Sequence, residues 1–188
     1  MNITPAPFEV ILAEGGRSNS LGRVDEVVAV VLHDASRLEE LYQCLFASDA
    51  WMRMRAADAL EKICRVQPGW LEPYVDRIHE DLAASTQPSI QWHIAQIYGQ
   101  VALTTEQRKA AISWLTARLS TTVVDWIVAA NAMDTMATFV RAGWLPAADF
   151  MALVRVQLRH HSKSVVKRAE RHSKEMGGAT HPSARPAL

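Results

Sequence analysis

Apolar positions recur at helical spacing along most of the chain. In the stretch "DAWMRMRAADALEKI", Met52, Ala56, Ala59, Leu60 and Ile63 fall at i, i+4, i+7, i+8 and i+11, which lines them along one side of an α-helix. Asp49 precedes this face and is placed to accept the free amide hydrogens of the first turn. Upstream, Leu38, Leu41, Tyr42 and Leu45 form a second apolar face behind Ser36 and Glu39, whose spacing is that of a capping box. Two helices joined by so short a link must fold back on each other.

The arrangement repeats. Leu71, Tyr74, Val75, Ile78 and Leu82 follow the punctuation of Pro68 and Gly69, with Pro73 tolerable in a first turn. Ile90, Ile94, Ile97, Tyr98 and Val101 then reproduce the offsets seen from Met52. Thr104 and Gln107 make another capping box before a helix ending near Leu119. "TTVVDWIVAANAMDTMATFV" is apolar nearly all round, the pattern of a helix covered on several sides. Gly143 stops it, Pro146 starts "PAADFMALVRVQL", and "SKSVVKRAERHSKEM" closes the series. The expectation is eight helices in four antiparallel pairs, with residues 23–34 forming a further amphipathic helix at the N-terminal end. Residues 1–22 read as a loop or arm, 23–176 as the helical repeat domain, and 177–188, "GATHPSARPAL" preceded by glycine, as a disordered tail.

The second helices resemble one another. "MRMRAADAL" from Met52, "IQWHIAQIY" from Ile90, "DWIVAANAM" from Asp125 and "VVKRAERHS" from Val165 start 38, 35 and 40 residues apart. They resemble the HEAT repeat family, whose second helix is similar to V-R-x-x-A-A-x-A-L after an acidic residue. Asp49, Met52, Arg53, Ala56, Ala57, Ala59 and Leu60 fill that pattern in the first copy; the second has Gln91 in the arginine slot, and the third places Asp125 in the apolar slot and Trp126 in the arginine slot. The resemblance implies an all-α fold, a right-handed α-α superhelix of the armadillo/HEAT solenoid type, with about four hairpins plus the N-terminal helix. It also implies a protein-interaction role, with Arg53 pairing with acidic residues near helix starts. Such a stack makes physical sense, because one hairpin buries too little surface to be stable alone and neighbours complete its core.

Composition narrows the function classes. Twenty basic and twenty acidic side chains cancel, so no net field steers the whole molecule onto a polyanion or an anionic membrane. No apolar run is long enough to span a bilayer and the N-terminus lacks signal-peptide character, so the expected compartment is the cytoplasm, with no membrane partner. Cys44 and Cys64 lack C-x-x-C spacing and read as buried free thiols. The seven histidines include sequential His160 and His161, on different faces, and no H-E-x-x-H; no metal and no cofactor are expected. No G-x-S-x-G, G-x-x-x-x-G-K or G-x-G-x-x-G is present, which argues against an enzyme.

Two surfaces stand out as candidates. In the resembling family second helices line the concave side, where Met54, Trp92, His93, Asp125 and Trp126 would form a strip for a protein partner; packing between repeats explains the same residues. At the C-terminal end, residues 155–175 carry seven basic against two acidic side chains, and Arg159, Lys163, Lys167, Arg168 and Arg171 would contact phosphate or an acidic partner. A nucleic-acid enzyme is the rival reading: helical-repeat DNA glycosylases use tryptophans with an aspartate, and Asp125, Trp126 and Trp92 offer a superficial likeness. A self-associating structural subunit is the third.

Overall fold

The computed structural model describes residues 6–14 and 20–178 of the 188-residue chain. The protein is all-α, with no strand among the described residues. The helices are α1 (Phe8–Ala13), α2 (Val24–His33), α3 (Leu38–Gln43), α4 (Ala50–Val66), α5 (Val75–Leu82), α6 (Pro88–Tyr98), α7 (Thr105–Leu119), α8 (Trp126–Arg141), α9 (Ala147–Gln157) and α10 (Lys163–Gly178). Short 3-10 turns at 35–37, 44–46, 68–70 and 72–74 lead into or extend α3 and α5. All eight predicted helices are present, as is the helix predicted over 23–34; α3 packs on α4, α5 on α6 and α9 on α10. The chain divides into two compact units, Met1–Gln107 and Arg108–Leu188.

In the first unit α4 is the centre. It packs against α1, α2, α3 and α6, while α5 packs on α6. The alanines explain the closeness: Ala56 and Ala59 are fully buried beside Leu60 and Ile63, and a methyl side chain lets a neighbouring backbone approach where a leucine would hold it off. In the second unit α8, α9 and α10 pack on one another around Phe139, Phe150, Val165 and Ala169. Trp144 packs on Phe139 with ring centroids 5.3 Å apart, after Gly143 turns the chain at φ +73°.

The predicted arm over 1–22 is corrected in part. Residues 8–13 form α1, with Phe8, Ile11 and Leu12 buried. Arg55 holds it in place: Nε donates to the carbonyl of Ser20 (2.9 Å) and Nη1 to that of Leu12 (2.8 Å), from a side chain that is itself buried. Asp58, three residues further along α4, pairs with Lys62 and not with Arg55. Of the predicted tail, residues 177 and 178 end α10, and 179–188 lie outside the described residues.

Capping was read correctly at two of three places. Asp49 accepts from the Met52 amide (2.7 Å), and Thr104 and Gln107 cap each other reciprocally at 3.0 and 3.2 Å. Ser36 and Glu39 form no capping box: Asp34 takes the Ser36 amide, and Glu39 is drawn to Arg77 and Gln43. A cation one repeat further along the chain out-competes a local backbone amide.

Candidate functional site

The starts of the second helices set the true register. Asp49, Gln87 and Asp125 each precede the first residue of α4, α6 and α8, and Ser162 precedes α10, so the spacings are 38, 38 and 37 residues. Asp125 is therefore the counterpart of Asp49, its carboxylate accepting from the Ile127 amide at 2.9 Å, and does not stand in an apolar slot. Val128, Ala132, Met136 and Phe139 are the counterparts of Met52, Ala56, Leu60 and Ile63, and all are buried.

In this register the residues of the predicted strip hold different positions on their helices. Trp126 is the first residue of α8, the position of Ala50 and Pro88, and stands 49% exposed. Trp92 is the fifth residue past its cap, the position of Met54, and both are half-buried. The same position holds buried Ala130 in α8 and exposed Lys167 in α10. The two tryptophans are thus not equivalent, and each lies in its own unit.

His93 is only 4% exposed and is withdrawn from any surface role. Its Nδ1 lies 2.6 Å from the Ser89 carbonyl, the Trp92 indole N–H points at the same nitrogen, and one neutral tautomer serves only one of them. Nε2 lies 3.8 Å from Asp58. Burial alone would push the Asp58 carboxyl upward, but hydrogen bonds from His93 and Lys62 outweigh it and hold the group below its ordinary value. Trp92 and His93, edge to face at 4.9 Å, are a packing pair.

Arg53 joins repeats as expected, through different partners. Its guanidinium donates to the carbonyls of Ala47 (2.7 Å) and Ser48 (2.8 Å) and to the side-chain oxygen of Gln87 (2.8 Å). Gln87 in turn donates to the Ala50 carbonyl, so the start of α6 is tied to that of α4 without an acidic residue.

At the basic end the structure sorts the cations into two groups. Arg168 and Arg171 both pair with Asp134 of α8, joined there by His172 at 2.8 Å, so they tie α10 to α8. No local pattern in the sequence marks Asp134, because it lies 34 to 38 residues from its partners. Arg159, Lys163 and Lys167 are exposed, as are Arg155 and Lys174, and none has an ion pair among the described residues. Lys163, Lys167 and Lys174 share one face of α10, opposite buried Val165, Ala169 and His172. His160 is buried and structural: its Nε2–H donates to the Val124 carbonyl (2.9 Å) and its Nδ1 accepts the Ser162 amide (2.9 Å).

Cys44 and Cys64 are buried free thiols, pushed up by burial to about 11 and about 12. Among the described residues no cluster of three or more His, Cys, Asp or Glu side chains could hold a metal ion, and no helix is long and apolar enough to cross a membrane.

Comparison with protein families agrees with the helical pairs. A model described as a HEAT repeat domain matches residues 16–113, just over half of the chain. The chain belongs to the HEAT repeat family. No curated protein and no solved structure matches it. The family match covers α2 through the first nine residues of α7. In HEAT terms the fourth pair departs furthest from the pattern, with His172 and Ser173 where the first has Ala59 and Leu60.

Proposed function

We propose that the chain is a non-enzymatic protein-interaction module that docks an acidic protein partner on the exposed ridge of α10. HEAT repeats generally mediate protein interactions. The observation that carries this reading is the division of labour among the cations: Arg168 and Arg171 are consumed by Asp134, whereas Lys163, Lys167 and Lys174 stand exposed on one face without partners among the described residues. Lysines left uncompensated on a stable helix add nothing to folding and give long-range attraction to a negative surface. Glu170 lies on the same face. It favours a partner with discrete carboxylates over a continuous phosphate backbone, which a carboxylate in the track would repel.

The test is fluorescence anisotropy with a labelled Glu-rich peptide and, separately, a labelled DNA duplex of similar charge, at low and physiological salt. Tighter binding of the peptide, weakened by Lys167→Glu with Lys174→Glu, supports the proposal. Preferential duplex binding with a steep salt slope favours the nucleic-acid reading, and no binding of either removes the ridge.

A further inference from the structure

The first unit contains a cleft of about 370 Å³ lined by Pro7, Glu9, Glu40, Gln43, Cys44, Phe46, Ala47 and Met52. Its volume is at the small end of the range for ligand pockets, ~300–1,000 Å³, with room for one large apolar side chain and its flanking peptide. Its cause is a mismatch of lengths. Six-residue α1 is about 9 Å long, whereas α3 and the 3-10 turn that extends it to Phe46 run about 15 Å. The start of α1 docks on α3, through the Phe8 amide on Glu40 (2.7 Å) and the Arg37 guanidinium over the Phe8 ring (3.9 Å). Beyond that contact the turn at 44–46 packs on α4 and buries Cys44, while Phe46 stays exposed and Ala47 half-buried.

We infer that this cleft is a second docking site, for a short linear protein segment with a large apolar side chain flanked by lysine or arginine. The apolar requirement comes from the walls: Phe46 stands 47% exposed yet is held edge-on to Tyr42 at 5.6 Å, so it offers a fixed aromatic face beside Met52, Ala47 and Pro7. The basic requirement comes from the rim. Glu40 is already engaged by Arg37 and the Phe8 amide, but exposed Glu9 has no ion pair or hydrogen bond among the described residues. A cation beside the apolar anchor completes it, and an acidic segment meets repulsion. The site lies wholly in the first unit, so it does not depend on the ridge of α10.

The test uses the full chain and three labelled peptides, GGKLKGG, GGKAKGG and GGELEGG, titrated by anisotropy. Saturable binding of the first is expected, with the second about tenfold weaker from the lost apolar area and the third weaker still. Ala47→Leu fills the cleft and Glu9→Lys reverses its rim; both, with circular dichroism showing the parent helix content, are expected to weaken GGKLKGG, while Lys167→Glu leaves it unchanged. Equal binding of all three peptides, no saturable binding, or full binding by the folded Ala47→Leu protein overturns the inference. Association of the chain with itself that Ala47→Leu abolishes, without peptide binding, also overturns it, since the occupant would then be a second copy.

Discussion

Gln91 reaches the carbonyl of Ser85 at 2.7 Å just as, one repeat earlier, Arg53 reaches that of Ala47. Both side chains sit four residues past their caps, and both close the loop six residues behind them. The substitution of glutamine for arginine therefore keeps the loop-closing bond. Arg53 makes a further connection within the first unit, to Gln87 at the start of α6. Gln91→Ala is expected to cost about 1 kcal/mol of stability, and Arg53→Gln a similar amount through the lost Gln87 bond. Urea unfolding of the two variants checks this; a cost near zero for Gln91→Ala would show that the loop closes without it.

Arg55 is the buried counterpart of that surface bond. Because its guanidinium is the tie between α4 and the backbone at Leu12 and Ser20, Arg55→Met should release α1 while leaving α2 to α6 folded. The expected loss is about 2–3 kcal/mol, the range for hydrogen bonds to a charged group. Hydrogen exchange localises it: amides of residues 8–13 should exchange faster, with α4 still protected.

What could be read in advance follows from range. The helix pairs, the Asp49 cap and the Thr104–Gln107 box depend on residues within two turns of each other, and those were legible. Helix α1 was not, since a six-residue segment that is apolar at five positions, of which only Phe8, Ile11 and Leu12 are buried, marks no face by its pattern. The register of α8 failed for the opposite reason. Alanine and apolar residues surround it, so no single face was marked, and the informative residue was the cap Asp125. Arg53 was correctly expected to link repeats, but its partners are mostly backbone carbonyls, which no side-chain pattern displays. Likewise the basic end looked uniformly available until Asp134 claimed two of its arginines.

Glu39 offers a pH-dependent check on the first unit. Hydrogen bonds from Arg77 above all, then from Gln43, hold its carboxyl at about 2, below the ordinary value of 4.5. A depressed folded value means the contribution to stability is fully present above the unfolded value and is lost as the pH falls from there through about 2. Both partners are half exposed, so the contribution to stability is small, below about 1 kcal/mol. NMR titration of the Glu39 side-chain carboxyl is the sensitive measurement. In Arg77→Gln it should move back toward the ordinary carboxylate range; an unchanged midpoint would assign the depression to Gln43.

Asp134 governs the acid response of the second unit. Burial pushes its carboxyl upward, but the hydrogen bond from His172 and the charges of Arg168, His172 and Arg171 outweigh that and hold it below its ordinary value of 3.8. The direction fixes the sign: the tie between α8 and α10 is complete above that ordinary value and weakens as the pH falls through the depressed one. Asp134→Asn removes the charge but keeps an acceptor, so it should flatten the acid slope and cost about 1 kcal/mol near neutrality, where two arginines, a third to a half exposed and screened by solvent, lose their counter-charge. Asp134→Ala should cost more, because buried His172 then loses its acceptor as well. Urea titrations at neutral and acid pH distinguish these cases. If Asp134→Asn kept the parent acid slope, the tie would rest on packing of α10 against α8 and not on the carboxylate.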